Sequence, residues 1–314
     1  MPKLAILTYH YIRTLENILQ RRILGPLRES FEDQVRYIKK QFPVISPSDI
    51  DAFFNDKNKF AQGTYVLFTF DDGLAEHVNY VSPFLESEGV EALFFINTDI
   101  LENLPVVPQI LHYAFALYPA QKVFALLEKL LAEFGREGEL PIEFHGEIIR
   151  NISLVKRFFR EQLDHELAKK ILLFFYQQTL GKDFQGLFSE IFLTRDDIPA
   201  LLSAGHQIGG HTRSHIFLGR PTPQGLLKKE IVDSLQKLSA ISQTQIRHFS
   251  FPYGRPGGGE VDRVLKQEGV DFSYTTEVSL NSPSADLFRL ARRSVYEKDT
   301  IDEIRAFLSG NHKD

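Results

Sequence analysis

The sequence predicts an α/β protein folded as a seven-stranded β/α barrel, or a distorted version of one. Three observations predict it. Short apolar runs rich in β-branched and aromatic residues recur along the chain, seven in all. Most are largely apolar, as parallel strands buried on both faces are. Helix-length patterns separate most of them, and strand–helix alternation marks a parallel sheet covered by helices.

The runs occupy residues 4–10, 65–70, 92–97, 207–212, 247–251, 272–276 and 288–295. The second ends in Asp71-Asp72-Gly73, and the fifth is closed by Pro252-Tyr253-Gly254. The fourth follows Gly205, a residue suited to ending a helix. The fourth and seventh fit less well, because they carry more polar residues. Helices are expected over 76–88, 226–241 and 260–268; the second has Leu227, Ile231, Leu235 and Leu238 near helical spacing.

Residues 101–195 break the alternation. Stretch 121–134 places Val123, Leu126, Leu127, Leu130 and Leu131 on one broad face, and 148–175 is similar, with Phe158, Leu163 and Ile171. A break falls at Gly181–Gly186. The segment reads as a helical insertion between the third and fourth strands, serving as core packing or as a lid or partner surface. Residues 1–314 are expected to form one barrel with 101–195 inserted in it.

The 314 residues include no cysteine. That excludes a disulfide framework, a cysteine nucleophile, a thiolate zinc site and an iron–sulfur cluster. Any metal must be held by His, Asp or Glu. Hydrophobic residues at 43% and charged residues at 25% exclude a disordered chain. With a net charge of −5 there is no basic surplus for nucleic acid. The 27 Phe read as core. No stretch approaches the roughly 18 apolar residues of a membrane span. The N-terminal apolar stretch is short and lacks a cleavage region, so a soluble, cytoplasmic protein is expected.

In an α/β barrel, reactive residues gather at the C-terminal ends of the strands. His10 ends the first strand, and Asp71 and Asp72 end the second. His211 and His215 lie at or after the end of the fourth, Tyr253 and Gly254 follow the fifth, and Arg289, Arg292 and Arg293 lie on the seventh. Two imidazoles and a carboxylate can bind a divalent ion and leave positions open for water. Successive side chains on a strand point to opposite sides. One of the adjacent aspartates can therefore ligate while the other takes a proton from metal-bound water. A backbone N–H in the 252–254 turn can face a developing oxyanion. These are the parts of metal-assisted acyl hydrolysis.

Thr69-Phe-Asp-Asp-Gly73, His211-Thr-Arg-Ser-His215, Phe251-Pro-Tyr-Gly254 and Leu287-Phe-Arg-Leu290 resemble, in that order, motifs of the polysaccharide deacetylase family (the NodB-homology domain, carbohydrate esterase family 4). Ala204–Gly209 and the opening Tyr9-His-Tyr-Ile12 add to the likeness, which covers 4–97 and 196–296. The resemblance implies a distorted (β/α)7 barrel. It also implies Asp71 as general base, Asp72, His211 and His215 as ligands of zinc or a similar divalent ion, and the Tyr253 backbone N–H at the oxyanion. The implied reaction removes an N- or O-acetyl group from a carbohydrate.

The chain departs from the family in three ways. Ser250 stands where many members carry Arg, and Arg289 is the expected substitute for orienting Asp71. A motif with Asp and Trp is absent. The late Leu-x-His that supplies the general acid is missing, and His10 is the expected replacement; after Arg289 the only histidine is His312, in a polar tail. His248 reads as structural. His77, His112, His145, His165 and His206 show no partner pattern and read as surface or packing residues. A nucleotide-linked or lipid-linked glycan precursor fits an intracellular chain better than mature cell-wall glycan. Two rival readings remain: an amidase or deformylase using the same site, and a non-catalytic member binding a partner through the insertion.

Overall fold

Seven strands, all paired in parallel, form one curled sheet in the order β6-β5-β4-β3-β2-β1-β7. They are β1 Lys3–Tyr9, β2 Thr64–Phe70, β3 Leu93–Ile96, β4 Gln207–Gly210, β5 His248–Ser250, β6 Phe272–Tyr274 and β7 Arg293–Ser294. The computed structural model describes residues 1–16, 23, 25–56, 58–140, 148–179 and 188–311. His145, His312 and the break at 181–186 lie outside the described residues.

Period-two alternation sorts the strand side chains. Leu4 and Ile6 of β1, Leu67 of β2 and Phe95 of β3 face one cluster with Phe272 and Tyr274. Ala5, Leu7, Val66, Phe68, Phe94 and Ile96 face the other side, against the helices. Both faces are apolar, which is why the runs were readable as buried strands. The poorer fit of β4 has a steric cause: a Cβ on Gly209 would sit 2.6 Å from the Phe95 ring.

The seventh strand is far shorter than expected. The segment before it bonds instead to β6, from Ser273 N to Leu287 O and from Thr275 N to Leu290 O. Only Arg293 and Ser294 then pair with β1. This segment thus bridges the two edges of the sheet and closes a distorted (β/α)7 barrel.

Helices α1 (Arg28–Gln41) and α2 (Ile50–Asn55) fill the connection from β1 to β2, where the sequence reading placed none. Helix α3 (Ser82–Ser87) follows a π-helical turn at His77–Val81. Between β3 and β4 lie α4 (Val107–Leu117), α5 (Ala120–Glu133), α6 (Ile148–Glu161), α7 (His165–Thr179), α8 (Phe188–Ile191) and α9 (Asp197–Ser203). The expected single helix over 148–175 is two helices. Asp164 starts the second by accepting from the N–H groups of Glu166 (2.9 Å) and Leu167 (3.2 Å), as an N-cap does. The rest are α10 (Gln224–Leu227), a π-helical turn at Lys228–Val232, α11 (Asp233–Ser242), α12 (Gly259–Gln267) and α13 (Ile301–Leu308).

Helices α4 to α7 share a core of their own, containing Leu127, Leu131, Val155, Ile171 and Phe175. Helix α4 joins it to the barrel: Ile110 and Leu111 face the helical core, while Tyr113 and Ala116 belong to the barrel core. Among the described residues no helix is long and apolar enough to cross a membrane.

Candidate metal centre

All the strands run the same way, so the loops after β2, β4 and β5 meet at one end of the barrel. The Asp71 side chain continues the inward alternation of Leu67 and Thr69. Asp72 leaves it, because its φ is +82°. Four of the six described non-glycine residues with positive φ are Asp72, Thr212, His215 and Tyr253, all in these three loops. That conformation is uncommon for side-chain-bearing residues and clusters where function fixes a geometry. Gly254, at φ +64°, lies so close to Thr276 that a Cβ would be 1.9 Å from its Oγ1.

Asp72 Oδ1 lies 3.4 Å from His211 Nε2 and 3.4 Å from His215 Nε2. All three side chains are buried, and Oδ1 has no hydrogen-bond partner among the described residues. A tetrahedral site with ligand bonds of about 2.1 Å has edges of about 3.4 Å, so the donor set fits a divalent ion. His211 Nδ1 meets the Ser250 carbonyl at 2.7 Å, which fixes the proton there and leaves Nε2 as the atom with a free lone pair. Gln109 of α4 donates to the other oxygen, Asp72 Oδ2, at 2.7 Å. Although burial opposes its charge, the His211 and His215 imidazoles beside it hold the Asp72 carboxyl well below its ordinary range. Burial pushes the His215 imidazole down to about 4, so it is neutral and able to ligate at neutral pH.

Asp71 is held by Arg292. The guanidinium donates from two nitrogens to the two carboxylate oxygens, each at 2.8 Å. It also reaches Ser250 Oγ (2.7 Å), Thr8 Oγ1 (3.2 Å) and the Thr275 carbonyl (3.0 Å). Ser250 in turn donates to Asp71 at 3.2 Å. Burial of the Asp71 carboxyl pulls its pKa up; the Arg292 charge outweighs this and holds it at about 2.

The expectation for Arg289 is therefore corrected. Arg289 donates to Asp262 of α12 at 2.8 and 2.9 Å and stays clear of Asp71. Its own N–H closes a turn on the Asp286 carbonyl, before the segment becomes extended. Arg292 lies in the extended part, between the Tyr274–Leu290 bridge and β7, and points into the barrel with none of its surface exposed. The barrel-closing geometry, which the sequence does not display, decides between them.

His10 is partly buried at the end of β1, close enough to help hold the Asp71 and Asp72 carboxyls down. Its carbonyl meets His77 Nε2 at 2.8 Å. The Tyr253 ring packs edge-on against His215 with centroids 4.6 Å apart. His248 meets the Tyr274 hydroxyl at 2.8 Å, well inside the barrel. His77 and His206 are buried packing residues.

Sequence reasoning missed what the insertion contributes. Besides Gln109, His112 of α4 meets the Tyr11 hydroxyl at 3.0 Å, and Lys156 of α6 comes within 3.4 Å of the same imidazole. Lys156 and Arg160 lie over the Tyr253 ring at 5.5 and 5.2 Å. His165 of α7 meets Ser214 Oγ, inside the His211–His215 loop, at 3.1 Å. A lone Gln or Lys on an amphipathic helix carries no signal of this kind.

A parallel barrel carrying an Asp-His-His cluster and a tethered second Asp at the C-terminal ends of its strands has the layout of a barrel hydrolase. The family model described as polysaccharide deacetylase matches residues 59–273, and the chain belongs to that family of enzymes. Solved structures share the fold. A Streptococcus pyogenes deacetylase, PplD, in complex with acetate aligns over 98% of both chains with TM-score 0.62 and 16% identity. IcaB from Ammonifex degensii aligns over 98% of this chain and 97% of its own, with TM-score 0.57 and 16% identity. A de-N-acetylase from Aggregatibacter actinomycetemcomitans aligns over 97% and 99%, with TM-score 0.58 and 14% identity. No curated protein matches the chain.

Proposed function

We propose that this chain is a metal-dependent deacetylase that hydrolyses the N-acetyl group of an amino sugar. The observation that carries the reading is the buried Asp72 oxygen, unpartnered between two imidazole nitrogens at 3.4 Å, beside a second aspartate held by a buried arginine.

Asp72, His211 and His215 would hold a divalent ion, zinc or a similar one, which supplies Lewis acidity at the acyl carbonyl and activates water. Asp71 takes the proton of the attacking water. Arg292 and Ser250 fix its carboxylate in one orientation and keep it ionised at any pH above about 2. The Tyr253 backbone N–H, in the turn where that residue has positive φ, would serve the oxyanion. His10, in place of the missing late histidine, gives a proton to the leaving amine, so acetate and a free amine are released.

Acetate release from acetylated and formylated amino sugars, with metal content measured on the same preparation, tests the reading. Acetate should appear in equal amount to new amine, stop on chelation and return with added zinc. Formate release without acetate would replace the acetyl assignment. Full activity in metal-free protein would overturn the reading.

A further inference from the structure

The insertion and the His211–His215 loop enclose a cleft that opens beside the candidate metal centre. His215 and Tyr253 form its wall on the barrel side; Lys156, Arg160, Lys169 and Arg220 bring four cationic side chains into it. Among the described residues no Asp or Glu lines it. A chain of net charge −5 has thus concentrated positive charge at the mouth of its site.

The four cations are not equally free. Lys169 is neutralised by Asp99, which is fully buried. Arg160 pairs with its neighbour Glu161, whose side chain is 39% exposed; such a pair is weak and gives way to a ligand. Among the described residues Arg220 donates only to the Leu163 carbonyl, at 2.9 Å. Lys156 has no carboxylate partner among the described residues; it has the His112 ring nitrogen and the Tyr253 ring. Arg160 also lies 4.9 Å from the Phe217 ring centroid. The guanidinium is thereby seated on two aromatic rings. Three cations with little or no internal neutralisation, two of them planar forks, suit a phosphoryl group better than a neutral hydroxyl.

We infer that this cleft binds a phosphoryl group carried by the substrate, through Lys156, Arg160 and Arg220. The substrate class is then an acetylated amino sugar bearing a phosphate ester or a diphosphate. The sugar part of this assignment rests on the deacetylase reading above; the phosphoryl part rests on the cleft.

Calorimetric titration of the metal-loaded protein tests it with N-acetylglucosamine 1-phosphate, UDP-N-acetylglucosamine, the matching uronic acid and neutral N-acetylglucosamine. Both phosphorylated sugars should bind at least about tenfold more tightly than the neutral one, with the singly charged uronate between. The advantage should shrink as salt rises. It should fall below about threefold in the Arg160→Gln, Arg220→Gln double variant, while neutral sugar binds as before. Equal affinities for charged and neutral sugars in the unaltered protein would overturn the inference without needing the variant to fold. So would a preference that survives the double variant, which would put the phosphate on the metal instead. If neutral oligosaccharides release acetate as well as phosphorylated sugars do, the cleft assignment fails and the deacetylase reading stands. If phosphorylated sugars bind with the arginine-dependent preference and none releases acetate, the deacetylase reading fails and the cleft assignment stands.

Discussion

The barrel and the helices inserted between β3 and β4 build the same site in different ways. The barrel places Asp71, Asp72, His211 and His215 at or just after strand ends, and holds Asp72 and His215 in the left-handed backbone conformation that a packed scaffold must impose. The insertion brings longer side chains over the top: Gln109 onto Asp72, Lys156 and Arg160 onto Tyr253, His165 onto the His211–His215 loop. The insertion also has its own hydrophobic core, so it can vary without repacking the sheet. The difference teaches a division of labour. On the proposed function, chemistry falls where position is fixed by the sheet, and selection where a helix can present almost any side chain.

The largest effects should come from the barrel half. Asp72→Asn, or His211→Ala, should remove bound metal and lower acetate release by about three orders of magnitude or more. A variant that kept both would break the assignment of the ligand set.

Arg292→Met should come next. It leaves Asp71 buried without its counter-charge, which costs on the order of 3–5 kcal/mol of stability. The sign of the pH dependence follows from the depressed pKa. In the folded protein Asp71 titrates near 2, below its ordinary value of 3.8. The pair therefore stabilises fully above the ordinary value, and its contribution fades as the pH falls from about 4 toward 2. In the variant that acid dependence should disappear, and the acid limb of the rate profile should move to higher pH. Arg292→Lys should recover only part, because an ammonium cannot make the paired fork. Arg289→Met should leave the profile unmoved.

The insertion should show smaller, graded effects. Gln109→Leu removes the donor on Asp72 Oδ2 and should weaken metal affinity by about 10–100-fold, measured by chelator competition, with the fold intact. An unchanged affinity would reduce α4 to packing.

The smallest effect lies at the junction of the two regions. Glu76 is buried near Tyr11 and Tyr113 with neither oxygen hydrogen-bonded among the described residues, and burial raises its carboxyl to about 8. A raised pKa contributes stability at low pH that is lost as the pH rises through about 8. Glu76→Gln should thus be more stable than the parent at pH 9, by on the order of 1–3 kcal/mol, and match it at pH 4, below the ordinary value of 4.5. Thermal melts at the two pH values check this.

The contrast between the two regions also sets what the sequence could reveal. The apolar strands, the Asp71-Asp72 pair and the His211–His215 motif were legible, because buried strands and strand-end polar clusters leave local patterns. The tether on Asp71 was not. Choosing Arg292 over Arg289 depends on where the chain turns before bridging β6 and β1, a non-local fact. The division of 148–175 into two helices did leave a signal, the N-cap Asp164, which apolar periodicity alone passes over. Gln109 and Lys156 left none, since a polar residue on an amphipathic helix is as readily solvated as catalytic.

The central claim is that Asp72, His211 and His215 hold a divalent ion while Asp71 does the proton transfer. It is tested most directly by measuring metal stoichiometry and acetate release together on the parent chain and on Asp71→Asn. One equivalent of metal should remain in both, with acetate release lowered by about 10²–10⁴-fold in the variant alone. Loss of metal along with activity would make Asp71 a ligand, and undiminished activity with metal bound would contradict its role as the base.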